Sequence, residues 1–232
     1  SKQYKGTERS DMKRVLVTAG QSNLGKAIRA KFEKEGYEVW YTVSQKSKVD
    51  SPKAIPVDLR NEKEVKEALS SFEDLDVLVN NAGVFTEGKQ DKLDLDSFEE
   101  VFSLNVKGLF LVTRELLPLL KKKNGSIVNV SSMNALHPGF GSTSHYDASK
   151  GAVSAYTRSL AQETGLRVNA VAPGLIEREA LKKSPLEEYW LSHSVKKAMM
   201  QGDEIADTIY FLATSSGIYG QTILVDNGFT LL

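Results

Sequence analysis

A doubly wound α/β fold, one mostly parallel sheet with helices on both faces, is predicted by three features of the sequence. Short apolar runs rich in β-branched residues alternate with helical patterns along the chain, the order expected when each strand returns through a crossover helix. Glycine or small polar residues punctuate the exits of successive apolar runs. No linker, composition break, internal repeat or low-complexity segment divides the 232 residues, so a single domain is expected.

Taken in order, Ser1–Asp11 is polar and aperiodic. Residues 1–12 are read as a flexible arm or expression remnant and residues 13–232 as the domain. Arg14–Thr18 reads as a buried strand, Ala19–Gly25 as a turn, and Lys26–Glu35 as a helix closed by Gly36. Val39–Val43 is the next strand. A strand, glycine-bearing turn, helix and strand in about 30 residues is the setting in which backbone N–H groups at a helix N-terminus face a pyrophosphate. The third strand, Ala54–Val57, ends at Asp58-Leu59 and is followed by a helix over Glu62–Phe72. Val77–Val79 exits through Asn80-Asn81-Ala82-Gly83. One long helix is expected over Asp96–Leu120, its end marked by Lys121–Lys123 and Gly125; the lysines complement the helix dipole. Ser126–Val130 ends in Ser131-Ser132, and a loop over Met133–Thr143 leads to a helix that runs to Thr164. Val168–Ala172 ends in Pro173-Gly174. Leu175–Met200 is a helical insertion, Glu204–Thr214 a helix and Gln221–Val225 the seventh strand.

Composition narrows the function. The formal net charge is zero, which predicts no electrostatic attraction to nucleic acid or anionic membrane. Cysteine is absent, so disulfide and thiol chemistry are excluded, in keeping with a reducing compartment; a cytoplasmic location is expected. The longest apolar run, Leu109–Leu120, is broken by Arg114 and Glu115, and no secretory signal is found. His137, His145 and His193 lack metal-ligand spacing, so no metal site is predicted.

Chemistry points to the stretch Ser144–Val153. Tyr146 and Lys150 stand four residues apart, one turn along one helix face. A free phenol titrates near ~10, and a close positive charge lowers that value, as a proton donor working near neutrality requires. In a doubly wound sheet, ligands bind outside the carboxyl ends of the strands. The punctuations at Ala19–Gly25, Asp58, Asn80–Gly83, Ser131-Ser132 and Pro173-Gly174 all fall on that rim.

With these residues in place, the chain resembles a single-domain short-chain dehydrogenase/reductase with a Rossmann-like fold, of the 3-oxoacyl-[acyl-carrier-protein] reductase kind. Asn80-Asn81-Ala82-Gly83, Asn105 within Phe102-Ser-Leu-Asn-Val, Ser132, Tyr146-x-x-x-Lys150 and Pro173-Gly174 occur in family order between Arg14 and Gly228. The resemblance implies hydride transfer between a nicotinamide cofactor and a carbonyl or secondary alcohol, with a 3-oxoacyl thioester, a small ketone and a sugar derivative all open as substrates. It makes Tyr146 the proton donor and acceptor, with Ser132 on the substrate oxygen. Lys150 would lower the Tyr146 pKa and hold the nicotinamide ribose, and Asn105 would hold a linking water. It assigns the cofactor to Ala19, Gln21, Ser22, Asn23 and Leu24, to Ser44, to Asp58 and Leu59, to Asn81, Ala82 and Gly83, to Tyr146 and Lys150, and to Pro173, Gly174 and Ile176. Met133, His137, His145 and Tyr189 are expected in the substrate pocket. The family implies a homotetramer, and the apolar end segment Gln221–Leu232 is expected in a subunit contact.

Departures from the family pattern are local. Ala19 and Asn23 stand where glycines are usual, and Asn23 is expected to keep the turn because Asn tolerates positive φ. Ser132 precedes Tyr146 by one residue more than usual, and Arg178 replaces a threonine. No carboxylate ends the second strand; Val43 is followed by Ser44, Gln45, Lys46 and, further on, Lys48, which favours NADP(H), with NAD(H) possible. Two other readings remain. One is a non-catalytic dinucleotide-binding regulator. The other is a phosphate-binding loop in Gly20-x-x-x-x-Gly25-Lys26, which Ala27 weakens because a Mg²⁺-binding hydroxyl is required there.

Overall fold

The computed structural model describes residues 12–49 and 51–231, so the polar stretch before Met12 lies outside the described residues. Seven strands form one parallel sheet in the order β3-β2-β1-β4-β5-β6-β7: β1 Arg14–Val17, β2 Glu38–Val43, β3 Ala54–Pro56, β4 Val77–Asn80, β5 Ser126–Val130, β6 Arg167–Pro173 and β7 Thr222–Val225. The helices are α1 Asn23–Lys34, α2 Glu62–Leu69, α3 Leu95–Phe102, α4 Leu109–Lys123, α5 Ser144–Thr164, α6 Pro185–His193 and α7 Gly202–Thr214. The chain reverses its winding between β1 and β4, which opens a crevice at their carboxyl ends.

Alternation along the strands builds two cores. Leu16, Leu78, Ile127 and Val168 stand in register across four strands, and all four are fully buried. They face α2, α4 and α5 through Val65, Leu116, Leu120 and Leu160. Val15, Val17, Val79, Val128 and Val171 point to the other face, against Ile28 and Phe32 of α1 and Ile205 and Ile209 of α7.

Two expectations are corrected. The single helix over Asp96–Leu120 is interrupted by a π-helical turn over Ser103–Gly108. The interruption lets the Asn105 side chain meet the loop after β4 and brings Gly108 so close to Leu59 O that a Cβ there would stand 3.3 Å from it. Asn23 does not carry the turn after β1. Ser22 caps α1 by accepting from Gly25 N at 3.0 Å, which makes Asn23 the first helical residue. The left-handed residue is Ala19, at φ +52°.

Candidate active site

Beta strand ends deliver the site. Ser132 follows β5 and Tyr146 lies in the first turn of α5; both line one cleft. Ser131 turns the other way: its buried hydroxyl donates to Lys150 O at 3.0 Å and pairs with Ser154 Oγ at 2.9 Å. Lys150 stands one turn beyond Tyr146, its Nζ 5.8 Å from the phenol ring centre and donating to Val130 O at 2.9 Å. Phe85 meets the Tyr146 ring edge-on at 4.9 Å.

Electrostatics differ from the simple expectation of a lysine lowering its neighbour. Burial pushes the Tyr146 phenol above its usual value; the Ser132 hydrogen bond lowers it, Asp147 raises it and Arg178 lowers it. Burial also holds the Lys150 ammonium down to about 8. Desolvation dominates at both groups because Lys150 is only 4% exposed and spends its ammonium on a backbone carbonyl.

Asn105 connects this pair to the loop after β4. Its Oδ1 accepts from Val84 N at 2.8 Å, and its Nδ2 donates to Val84 O at 3.0 Å and Ser149 Oγ at 3.1 Å. Gly83 fits between: a Cβ there would stand 3.2 Å from both Asn105 Oδ1 and Lys150 Nζ. Asn81 holds the first turn closed, its Nδ2 donating to Thr18 O at 3.0 Å, Ala19 O at 3.3 Å and Ser22 Oγ at 3.2 Å. Thr18 Oγ1 in turn accepts from Asn81 N and Ala82 N, both at 2.9 Å.

These groups open onto a cleft of about 390 Å³ that runs from the N-terminus of α1 to the segment after β6. Of the expected cofactor and catalytic residues, Ser22, Asn23, Leu24, Asn81, Gly83, Ser132, Tyr146, Lys150, Pro173, Gly174 and Ile176 line it. Ala19 and Ala82 stand behind them in the hydrogen-bonded turn. Gln21, Ser44, Asp58 and Leu59 lie outside the lining: Gln21 Nε2 donates to Lys48 O, Ser44 Oγ accepts from Lys46 N, and Arg60 grips the Asp58 carboxylate at 2.9 Å. Arg60 holds that carboxyl below its usual value.

The residues expected in the substrate pocket are placed differently from one another. Met133 lines the cleft, but His137, His145 and Tyr189 do not. His145 is buried behind Tyr146, where its Nε2 pairs with Thr86 Oγ1 at 2.7 Å. The rings of His137 and Tyr189 pack around Phe229. Phe229 itself is buried within the chain, stacked on Trp190 at 4.5 Å, so its apolar character needs no subunit contact. Trp190 fastens α6 by donating to Ala198 O at 2.9 Å, and its ring fills the space where a Gly174 Cβ would be.

One buried ladder has no counterpart in the sequence reading. Asn80 Nδ2 donates to Thr113 Oγ1 at 3.0 Å and Asn129 Oδ1 at 2.9 Å, and Asn129 Nδ2 donates to Thr157 Oγ1 at 2.9 Å. It ties α4, β4, β5 and α5 together beneath the site. The signal in the sequence is an asparagine in each of two neighbouring, mostly apolar strands.

A family model described as enoyl-(acyl carrier protein) reductase matches residues 18–230. The chain belongs to the short-chain dehydrogenase/reductase family. It is 35% identical to the 3-oxoacyl-[acyl-carrier-protein] reductase FabG of Thermotoga maritima, over 96% of this chain and 100% of the relative. It is 34% identical to glucose 1-dehydrogenase of Gluconobacter oxydans, over 94% and 92%. Among solved structures, ElxO with NADP bound superposes with a TM-score of 0.85 at 29% identity, covering 95% of this chain and 100% of that one. Ligand-free aldohexose dehydrogenase of Thermoplasma acidophilum gives 0.87 at 27%, covering 95% of each. The enzyme is thus a short-chain dehydrogenase/reductase, and neither the non-catalytic nor the phosphate-loop reading is favoured. Among the described residues no helix is long and apolar enough to cross a membrane, and no cluster of three or more potential metal ligands occurs.

Proposed function

We propose that the enzyme transfers hydride reversibly between NADP(H) and a carbonyl or secondary alcohol, with Tyr146 as the general acid and base. The observation that carries this reading is the convergence of Ser132 and Tyr146 on one cleft, with Lys150 one turn along the same helix face and the cleft running on to α1. The residues fit a dinucleotide: the α1 N-terminus opens onto the cleft beside Asn81, and Gly83 leaves room next to Lys150. When bound, the cofactor supplies or accepts the hydride.

The chain's own residues do the rest. Tyr146 gives its phenolic proton to the substrate oxygen in reduction and takes it back in oxidation. Ser132 orients that oxygen by donating to it. Lys150, adjacent to Tyr146, holds the nicotinamide ribose, and its ammonium favours the phenolate once it is drawn toward the cleft. Asn105 keeps the loop after β4 in place and is the candidate for the linking water. Ser22, Asn23, Leu24, Asn81, Pro173, Gly174 and Ile176 cradle the dinucleotide. Residues 13–232 act as one domain.

NADP(H) is preferred over NAD(H) in this reading, because Val43 and the six residues after it, Ser44–Val49, include no carboxylate and do include Lys46 and Lys48. Phe85, Met133, Phe140, Leu175 and Leu186 give the substrate end apolar walls. These walls suit a 3-oxoacyl thioester or a small ketone, and a relative named as a 3-oxoacyl-[acyl-carrier-protein] reductase points the same way. A cytoplasmic homotetramer is part of the proposal; a monomer by light scattering would contradict the assembly.

Titration of protein fluorescence with NADPH and NADH, followed by ketone reduction by wild type and Tyr146→Phe, tests the reading. NADPH should bind more tightly, and the variant should bind it normally but lose turnover by at least ~10³-fold. Failure to bind either dinucleotide, or turnover by Tyr146→Phe close to wild type, would sink it.

A further inference from the structure

Of the two cations that line the cleft, Lys150 and Arg178, the proposed reaction leaves Arg178 unused. Arg178 lines the same cavity as Ser132, Tyr146 and Lys150. Among the described residues its guanidinium has no hydrogen bond and no ion pair.

Arg178 is mounted on a tied segment. Ile176 bridges to Met200, Glu177 N donates to Met200 O at 2.9 Å, and Met200 N donates to Leu175 O at 2.8 Å. On the other side, Leu181 N donates to Arg178 O at 2.9 Å. Backbone position is therefore set on both flanks, and the side chain is free to meet a ligand.

The nearby carboxylates are disposed elsewhere. Glu177 accepts from Gln201 Nε2 of the segment before α7. Asp147 is taken by Asn134 Nδ2 at 2.7 Å and Gly139 N at 3.0 Å. Glu87 belongs to the loop after β4, whereas Arg178 follows β6; those strands flank β5, whose exit supplies Ser132. Lys150 is committed to Val130 O and, in the proposed reaction, to the cofactor, so an anion entering between Phe85, Met133, Phe140, Leu175 and Leu186 meets Arg178 as the cation left for it.

We infer that Arg178 determines substrate specificity: the substrate bears a carboxylate or phosphate that the Arg178 guanidinium receives while its carbonyl oxygen faces Ser132 and Tyr146. The inference rests on the proposed reaction and narrows its substrate class to anionic carbonyl compounds. The balance of the reaction is unchanged. Carbonyl carbon gains hydride, its oxygen gains the Tyr146 proton, and the anionic group keeps all its bonds.

The test compares each anion with a neutral counterpart, using the full chain with NADPH. Acetoacetate is paired with methyl acetoacetate, 4-oxopentanoate with its methyl ester, and dihydroxyacetone phosphate with dihydroxyacetone. At least one anion should exceed its partner in kcat/KM by about 10–100-fold, the discrimination one charge-assisted, forked contact provides. The carboxylate and phosphate arms tell which anion is preferred. The ratio should collapse in Arg178→Gln, recover in part in Arg178→Lys, and shrink as NaCl is raised. Because each ratio is taken within one variant, a change in Tyr146 acidity cancels.

Neutral partners reduced as well as the anions would overturn the inference and leave the reaction standing. So would a ratio that survives in Arg178→Gln, or one that is unmoved while NADPH affinity falls tenfold or more, which would assign the residue to the cofactor. NADPH binding without turnover of any pair, or no NADPH binding, would overturn both the reaction and the inference.

Discussion

The adjacent serines at the end of β5 offer a controlled test of which hydroxyl serves chemistry and which serves packing. Ser131 is 3% exposed, and its hydroxyl bonds Lys150 O and Ser154 Oγ. In Ser131→Ala the Lys150 carbonyl keeps its helical partner, but the buried Ser154 hydroxyl loses this one. That loss should cost about 1–2 kcal/mol. In a chain of this length each kcal/mol moves Tm by roughly 2–4 °C, so Ser131→Ala should melt roughly 2–8 °C below wild type. Its turnover should stay within about fivefold, since its hydroxyl is committed to Lys150 O and Ser154 Oγ rather than to a substrate oxygen. Ser132→Ala should show the reverse. Its hydroxyl accepts a long 3.2 Å bond from Asn134 N at the cleft edge, so the stability loss should stay below about 1 kcal/mol. Loss of a donor to the developing oxygen charge should lower kcat by about 10²–10³-fold. Thermal unfolding and steady-state NADPH consumption on the same preparations read both quantities. A larger fall in kcat for Ser131→Ala than for Ser132→Ala, with both variants folded, would refute the assignment.

Other consequences can be measured directly. Burial depresses the Lys150 pKa to about 8 from its ordinary 10.5, so the unfolded chain binds the extra proton between those values. Stability from this group therefore rises with pH across that window and is absent below about 8, an effect on the order of 3 kcal/mol at most. The stability advantage of Lys150→Met over wild type should accordingly shrink from pH 8 toward 10 in denaturant titrations; a constant difference would contradict the buried ammonium. Thr86→Val removes the only hydrogen bond of the buried His145 ring, whose Nδ1 has no partner among the described residues. It should destabilise by about 1–3 kcal/mol, with Thr86→Ser restoring most of the loss; an unchanged Tm would refute the clamp. Ala19→Gly relieves a left-handed residue worth about 1–2 kcal/mol and adds about 0.4–1 kcal/mol of unfolded-state entropy. A gain of up to about 1 kcal/mol is expected by thermal unfolding, and a clear loss would show that the Ala19 methyl contributes packing that outweighs its strain.

Strand and helix order, the single sheet and the rim residues were legible in the sequence because periodicity and punctuation are local properties. Strands β1, β4, β5 and β6 must each put alternate residues into two cores, and the runs around Leu16, Leu78, Ile127 and Val168 announce it. Tyr146 and Lys150 were legible for the same reason: a four-residue spacing on a helix fixes a shared face. What the sequence could not settle depends on partners far along the chain. Only the family resemblance marks Asn105; periodicity leaves it inside one long helix, and the π turn appears only with Val84 and Ser149 bonded to its side chain. His145 reads as a pocket residue until Thr86 claims it. The left-handed turn falls on Ala19 rather than Asn23 because Ser22 caps α1 and Asn81 holds the carbonyls of Thr18 and Ala19. Above all, the sequence implies that Lys150 lowers the Tyr146 pKa, but the sign of each shift was decided by burial, a quantity that exists only once the sheet, the loop after β4 and α5 have closed around the pair.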